Sequence, residues 1–388
     1  MSQKDPKRQQ RKLPVENLRV GMVLPGDAWI QRDDGRRVQI FSSGQPISSE
    51  GVLWQLSAHG VHELQLDVPL LRRDLVEDGR CSKANLQRFD SLRSSLDRAE
   101  DLGQKSLRQQ QLILQSAAQG GQPSLGDLLE SLMNQAGLLE NNPELGCVLA
   151  TFNRMDAEQG GRAQSCAWLL QGLALVRSPR ASREELITRA LTGLLHDIGM
   201  VDCRPGHGGD PRDSEDFAEH PLFGETILRQ IPGLPGVVST VAAQHHERFN
   251  GQGFPAGLGV SEIHPLALEA GLVDAWLDLL QPRGARQGLP AAAAVNVVRA
   301  WADREFPAEL VFSFLDWLGP WPVSSAVELS DGRRGIVALR AGEEPGLPVV
   351  AVRSGPMTVT LEDLALGSLR IQRGTSLDQS DLQPEEVF

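Results

Sequence analysis

The chain has 388 residues, of which 38 are Lys or Arg and 50 are Asp or Glu, so its formal net charge is −12. This length is too great for one small domain and predicts two or three domains, each with its own core. The acidic balance argues against a protein that binds a nucleic-acid polymer by neutralising phosphates over a broad surface.

The four cysteines, at positions 81, 147, 166 and 203, form no CxxC pair. The pattern therefore predicts neither a disulfide framework nor a zinc knuckle, and a reducing cytoplasm is the expected location. No stretch approaches about 20 uninterrupted apolar residues, so no membrane insertion is expected.

Small β-rich segments are predicted at the N-terminal side of the chain. Residues 1–12 are basic and are predicted to be a disordered tail. Residues 13–70 alternate short apolar runs with turn signals such as Asp34-Gly35, which predicts a small β-rich domain. Residues 71–145 are rich in Leu, Gln, Ser and charged residues, which favours a helical connector, broken near "AAQGGQPSLG".

The middle of the chain, residues 146–319, has helical periodicity. Ser182 and Glu185 form a capping box before an apolar face of Leu186, Ile187, Ala190, Leu191, Leu194 and Leu195. The segment "FPAELVFSFLDWLG" is predicted to be a core helix. Residues 320–388 are predicted to be a β-appendage and tail with a hairpin at Asp331-Gly332. The predicted fold class is therefore mainly α.

Six of the eight histidines lie between positions 196 and 264. His196 directly precedes Asp197, His220 follows, His245 and His246 are adjacent, and Asp274 lies downstream. Imidazole and carboxylate groups hold divalent metals such as Fe, Mn, Ni or Zn, and helical bundles build metal centres from several helices. Side chains of neighbouring helical residues project about 100° apart. We therefore expect His245 and His246 to serve different ions in one cleft, which predicts a dinuclear site.

The other histidines carry no such pattern. The remaining four histidines belong to no HD or HH doublet: His59, His62, His207 and His264. A lone histidine is most often a satisfied core or surface residue, and these four are predicted to be structural.

These motifs carry a family resemblance. The order "LLHDIG", then "H" followed by "G" at His220 and Gly224, then "HHERFNGQGFPAGL", then "VDA", resembles the HD-GYP family of metal-dependent phosphodiesterases in the HD superfamily. The resemblance runs from about residue 142 to about 318. The phrase "LRVGMVL" also resembles the accessory domain that often precedes HD-GYP domains in bacteria.

The resemblance implies a fold and an activity. The fold is a multi-helix HD-type metal-binding domain, preceded by a small β-rich domain and followed by a β-appendage. The activity is hydrolysis of the signalling molecule cyclic di-GMP to pGpG and GMP. It would use two divalent metal ions, or three, and the metal would be iron or manganese. A bridging water activated by the metal ions would attack the phosphodiester. The implied partners are cyclic di-GMP and, as candidates, GGDEF-domain proteins and a second copy in a homodimer.

The implied site residues follow position by position. The metal ligands are His196, Asp197, His220, His245, His246 and Asp274, with Glu158 as an additional candidate. Asp197, which bridges two ions, is also assigned a catalytic role with Arg283 and Arg286, which match arginines near the substrate phosphates. A substrate lip is formed by Gly251, Gly253, Phe254 and Pro255.

Four positions depart from the family pattern. Arg162 stands where the first metal-binding histidine is expected, Met200 replaces a lysine, and Asn250 and Phe254 replace an aspartate and a tyrosine. A guanidinium only donates hydrogen bonds and cannot coordinate a cation. At about 4 Å from a metal ion it would cost about 4 kcal/mol per unit of metal charge at an effective dielectric near 20.

Two classes of function therefore remain. The six retained ligand positions favour a cyclic di-GMP phosphodiesterase. Arg162 and Met200 favour a degenerate, weak or inactive relative that binds a nucleotide or a protein in the same signalling network. A third alternative keeps the metal chemistry and changes the substrate, for example to a linear nucleotide or (p)ppGpp.

Overall fold

The protein is described by a computed structural model, which covers residues 8–15, 18, 20, 27–31, 37–42, 46–69, 80–118, 124–152, 161–203, 216–281, 288–340, 347–355, 358–375, 380–382 and 387. The chain divides into two compact units. The first contains Met1–Leu86, Ser325–Ala338 and Leu347–Phe388. The second contains Gln87–Ser324 and Leu339–Gly346.

In the first unit, the N-terminal described residues form an antiparallel sheet in the order β1-β4-β2-β3. Its elements are β1 (Arg8–Pro14), β2 (Asp27–Gln31), β3 (Arg37–Phe41), helix α1 (Glu50–Ala58) and β4 (Glu63–Pro69). The buried core residues are Val15, Leu18, Ala28, Ile47, Leu56 and Leu64. The two strand-like segments on either side of Asp34-Gly35 pair as β2 and β3, while Asp34 and Gly35 themselves lie outside the described residues. The helix α1 was not predicted.

The N-terminal tail requires a correction. Residues 8–12, predicted to be disordered, lie in β1 and pair with β4, with Arg8 opposite Pro69. Without β1, the backbone N–H and C=O groups along one edge of β4 would lack strand partners. Backbone pairing therefore outweighs the basic composition on which the prediction depended.

A second sheet of the first unit lies near the C-terminal end, with the order β8-β7-β6-β5-β9 among the described strands. The strands are β5 (Ala326–Leu329), β6 (Arg334–Leu339), β7 (Val349–Gly355), β8 (Thr358–Asp363) and β9 (Ile371–Thr375). The predicted hairpin at Asp331-Gly332 is confirmed. Gly332 has a φ of 84° and donates its N–H to the Leu329 carbonyl at 2.9 Å.

The second unit is helical. Its α-helices in the described residues are α2 (Lys83–Ala118), α3 (Gly126–Asn141), α4 (Leu145–Phe152), α5 (Gly161–Arg177), α6 (Arg183–Leu195), α7 (His220–Leu228), α8 (Gly236–Gln244), α9 (Pro265–Leu280), α10 (Ala291–Arg299) and α11 (Ala308–Leu318). A mainly α chain with small sheets near both ends confirms the predicted fold class.

The predicted connector is part of this helical unit from Gln87 onward. Ile113 of α2 and Leu128 and Leu132 of α3 share one buried cluster with Leu191 and Leu194 of α6. Burial of these apolar side chains stabilises the packing of α2 and α3 against α6. The structure therefore does not show the domain boundary predicted near residue 145.

Helix α6 forms where the capping box predicts it. The Ser182 hydroxyl accepts the Glu185 N–H at 3.1 Å, which satisfies one free donor of the first turn. Leu186, Ala190 and Leu191 are fully buried. The helix therefore has a fixed start and a fixed buried face, so its C-terminal end places the next residues reproducibly.

A close backbone approach follows α6. The short 3-10 helix Ile198–Asp202 contacts the start of α7, and a Cβ atom on Gly199 would lie 1.9 Å from the His220 carbonyl oxygen. Any other residue at position 199 would have to move α7.

Within the part of the chain that the structure describes, no helix combines the length and apolar character needed to cross a bilayer.

Candidate metal centre

The ends of several helices bring the predicted ligands together. His196 is the C-cap of α6, His245 is the C-cap of α8, and His220 is the first residue of α7. Asp197 follows His196 directly, and Asp274 lies in the buried helix α9. Residues that are far apart in the chain therefore meet at one point of the helical unit.

Backbone carbonyls orient three of the imidazoles. His196 Nδ1 lies 2.9 Å from the Gly193 carbonyl oxygen, His220 Nδ1 lies 2.6 Å from that of Phe217, and His245 Nδ1 lies 2.8 Å from that of Ala242. A ring nitrogen that faces a carbonyl must carry the hydrogen and donate it. This arrangement fixes the tautomer and directs each Nε2 inward, as in metal sites where a second contact orients the ligand.

Four of these side chains form a first group, which we call the four-residue group: Asp197, His220, His245 and His246. One ligand atom from each lies within 4.8 Å of the others. The Nε2 atoms of His220 and His245 are both 3.2 Å from Asp197 Oδ1. Two ligand atoms that each lie about 2.1 Å from one ion are about 3 to 3.4 Å apart. The spacing fits one metal ion.

His246 completes this group in a way that corrects the sequence prediction. We expected His245 and His246 to serve different ions because helical neighbours diverge. Helix α8 ends at Gln244 and His245 is its C-cap, so His246 lies just beyond the helix. The two rings have centroids 4.1 Å apart and belong to the same group.

The His246 ring also shows that the residues fit a metal ion. Its Nε2 is buried and has no hydrogen-bond partner among the described residues. A buried polar nitrogen without a partner is costly, and a cation would satisfy it. The ring stacks on Phe254 at 4.4 Å, which holds its plane.

A second group consists of His196, Asp197 and Asp274, and it includes an arginine contact. Arg162 Nε donates to Asp274 Oδ1 at 2.9 Å, and Arg162 Nη2 lies 2.6 Å from the same oxygen. His196 Nε2 lies 3.3 Å from that oxygen as well. The guanidinium therefore already occupies the Asp274 oxygen that faces this group.

The carboxylates of the site are held in the ionised form. Burial opposes charge on Asp197, but the positive charge of His196 and the polar contacts of the surrounding imidazoles hold the pKa of Asp197 well below its usual range. Burial of Asp274 is likewise outweighed, first by Arg162, so its pKa is lowered. For Arg162, burial opposes the charge, but Asp274, Asp197 and Asp278 together raise its pKa.

The histidines of the two groups differ in protonation. Burial lowers the pKa of His245 and lowers that of His246 well below its usual range, so both imidazoles are neutral. Burial of His196 is outweighed, chiefly by Asp197, so the pKa of His196 is raised well above its usual range. Neutral imidazole is the form that ligates a metal.

The predicted lip residues form a turn directly after the histidine pair. A Cβ atom on Gly253 would lie 2.4 Å from Glu247 Cα, so this close approach requires a glycine. The Phe254–Pro255 peptide is cis. Phe254 contacts both His246 and Phe217, with ring centroids 4.4 and 5.8 Å away.

No role was predicted for Glu247, which clamps this turn. The side chain is 1% exposed, and its Oε1 and Oε2 accept the N–H groups of Ala256 and Leu258 at 2.8 and 2.9 Å. The signal that could have found it is an acidic residue placed between the histidine pair and a glycine-rich loop. Glu247 therefore fixes this turn next to the four-residue group.

The remaining predicted residues have different outcomes. Glu158, Arg283 and Arg286 lie outside the described residues, as does His207. Met200 is half-buried in the 3-10 helix after Asp197, and Asn250 is exposed, with its Oδ1 accepting the Gln252 N–H. His264 caps α9 by accepting the Leu266 N–H at 3.1 Å, as expected of a structural histidine.

Comparison with known proteins agrees with this geometry. Residues 154–310 match the family model described as HD domain. This part of the chain is therefore similar to HD domains, in the region where the sequence shows the resemblance.

Three curated proteins are similar to this chain. One is named a cyclic di-GMP phosphodiesterase, from Pseudomonas aeruginosa, and is 31% identical over 42% of this chain and 40% of its own length. A protein of the same name from Thermotoga maritima is 27% identical over 31% of this chain and 34% of its length. A protein named 3′3′-cGAMP-specific phosphodiesterase 2, from Vibrio cholerae, is 27% identical over 48% of this chain and 35% of its length.

The chain thus spans less than half the length of the curated relatives that it matches. A solved structure from Bdellovibrio bacteriovorus, described as an HDG"Y"P protein, aligns with 79% of this chain and 99% of that chain at 16% identity and a TM-score of 0.42.

Proposed function

We propose that the protein is a metal-dependent phosphodiesterase that hydrolyses cyclic di-GMP to pGpG and GMP. The observation that carries the proposal is the four-residue group, in which two imidazoles converge on one oxygen of Asp197. The names of two relatives support this substrate. The family resemblance and the ligand set together favour iron or manganese.

The residues of this chain have separate roles in that reaction. Asp197, His220, His245 and His246 would hold the metal, which would supply positive charge to the phosphate and make water a stronger nucleophile at neutral pH. Phe254 and Glu247 shape the lip, which limits how a planar base can approach the phosphate. Arg283 and Arg286 would bind the second phosphate, a role supported by the family resemblance alone.

A related substrate is the first alternative. The Vibrio cholerae relative is named for 3′3′-cGAMP, which differs from cyclic di-GMP in one base. The residues that would hold the metal would face the phosphodiester that both molecules share, so the two substrates would be distinguished by contacts to their bases. This alternative changes the specificity of the lip and leaves the chemistry unchanged.

A non-catalytic module is the second alternative, and Arg162 favours it. The guanidinium binds Asp274, a predicted metal ligand, and Met200 supplies no charge where the family has a lysine. Such a protein would bind the nucleotide without turning it over.

We also propose that GGDEF-domain proteins dock at the lip, that the chain forms a homodimer and that it is cytoplasmic. The family resemblance and the composition of the chain support these proposals.

A substrate panel tests the proposal. The full chain is loaded anaerobically with Fe²⁺ or Mn²⁺ and incubated with cyclic di-GMP, 3′3′-cGAMP, pGpG and ppGpp. We expect cyclic di-GMP to be consumed, and we expect His245→Ala to abolish turnover while the exposed His62→Ala retains it. Consumption of 3′3′-cGAMP without cyclic di-GMP would identify the first alternative, and consumption of pGpG or ppGpp alone would identify the linear-nucleotide alternative of the sequence analysis. Binding of cyclic di-GMP by the metal-loaded protein without turnover over hours would identify the second.

A further inference from the structure

The position of Arg162 bears on how many ions the centre holds. Its guanidinium has two nitrogens within 2.9 Å of Asp274 Oδ1. His196 Nε2 lies 3.3 Å from the same atom. A carboxylate oxygen has two lone pairs, so one that faces three nitrogens has no free direction toward an ion. In the second group, side chains of the protein itself therefore occupy the Asp274 oxygen that an ion would need.

Several contacts keep the guanidinium in place. Arg162 Nη2 donates to the Asp274 carbonyl oxygen at 3.0 Å, and Nη1 donates to Gln281 Oε1 at 3.2 Å. Asp278 Oδ1 lies 3.9 Å from Nη1. An ion that displaced Arg162 would leave these acceptors without their donor and would need a new partner for a buried positive charge.

The two oxygens of Asp197 separate the two groups. Oδ1 faces His220 and His245 at 3.2 Å. Oδ2 faces His196 Nε2 at 3.4 Å and Arg162 Nε at 4.0 Å. Asp197 can therefore bridge two cations, and one of them is the guanidinium. The four-residue group uses no atom that Arg162 contacts at hydrogen-bond distance.

We infer that the chain binds one divalent metal ion, at the four-residue group, and that the Arg162 guanidinium takes the place of the second ion beside Asp274. This proposal differs from the pair of ions that the sequence predicts. The inference rests on the metal centre of the proposed function, and it is independent of the substrate. In the reaction, Arg162 would be a fixed positive charge next to the ion, the role that a second metal would otherwise fill.

Metal content tests the inference. The full chain is loaded anaerobically with Mn²⁺ and desalted, and metal per chain is measured by elemental analysis. We expect one ion in the wild type and two in Arg162→His, which restores an imidazole at this position. Arg183→His makes the same substitution at a side chain that is 61% exposed, so it is the control and should retain one ion.

A second readout avoids dependence on the variant's folding. Electron paramagnetic resonance of the Mn²⁺-loaded wild type should show the resolved hyperfine pattern of an isolated ion rather than the broadened signal of a coupled pair. Two ions per chain with a coupled signal would overturn the inference and leave the proposed phosphodiesterase standing. No bound ion would overturn both.

Discussion

The Nε2 atoms of His220 and His245 lie 3.3 Å apart, and both face the same oxygen of Asp197. Because each Nδ1 faces a backbone carbonyl, each ring directs its Nε2 atom at that oxygen. A divalent cation at this point would be held by both imidazoles and by Asp197. Such an ion would link the start of α7, the end of α8 and the residue after His196, so its binding should stabilise the helical unit.

Metal removal should lower the stability of the helical unit. A free metal concentration of about 100 times the Kd raises the free energy of unfolding by about 2.7 kcal/mol. For a unit of this size that corresponds to a rise in Tm of roughly 5–10 °C. Calorimetry of the Mn²⁺-loaded chain, before and after treatment with a chelator, measures the shift. An unchanged Tm, with metal loss verified by elemental analysis, would contradict a structural contribution of the ion.

His246 should be required for metal affinity. His246→Ala removes a ligand whose Nε2 has no other partner among the described residues. We expect the Kd for Mn²⁺ to rise by more than about 100-fold, beyond the usual effect of losing a group that only orients a ligand. Titration calorimetry measures the change, with the exposed His62→Ala as the control. Equal affinities for the two variants would exclude His246 from the centre.

Gly199 should tolerate no side chain. In Gly199→Ala, the new Cβ would lie 1.9 Å from the His220 carbonyl oxygen, so α7 or the 3-10 helix must move. We expect a loss of about 3 kcal/mol in the free energy of unfolding, at the upper end of the usual cost of overpacking. The matched control is Gly137→Ala in α3, where no atom lies within 4 Å of the new Cβ. That variant should be neutral or more stable by about 0.5–1 kcal/mol.

Both variants are compared by chemical denaturation of the full chain. If Gly199→Ala unfolds at the same denaturant concentration as the wild type, the close contact between the 3-10 helix and α7 is wrong. Metal affinity of Gly199→Ala should fall as well, because the displaced backbone carries His220.

Glu247 should control the lip and leave the metal centre intact. Glu247→Gln keeps one acceptor and turns an amide NH₂ toward a backbone N–H, which costs about 1–3 kcal/mol. We expect a higher KM for cyclic di-GMP, with the metal content of the protein unchanged. Glu309→Gln, at a side chain that is 88% exposed, is the control and should stay within about 0.5 kcal/mol of the wild type. A Glu247→Gln variant with wild-type KM would show that the clamp does not shape the substrate site.

Much of the central domain could be predicted because its signals are local. The Ser182 cap and the spacing of Leu186, Leu191 and Leu194 define α6 within thirteen residues, and α6 delivers His196. Asp331-Gly332 likewise specifies its own turn. These features depend on neighbours in the sequence, so a single sequence contains the information.

Three features could not be predicted for physical reasons. The pairing of β1 with β4 depends on backbone groups that every residue has, so composition does not reveal it. The joint position of His245 and His246 depends on where α8 ends, a boundary that periodicity locates only to a few residues. The contact between Arg162 and Asp274 joins residues 112 positions apart and is set by packing of α5 against α9.

The most direct test of the metal centre is an anomalous difference map at the manganese edge, from crystals of the full chain loaded with Mn²⁺. We expect one peak per chain, surrounded by Asp197, His220, His245 and His246, with the Arg162 guanidinium on Asp274. A second peak between His196 and Asp274, with Arg162 displaced, would show that the chain binds two ions.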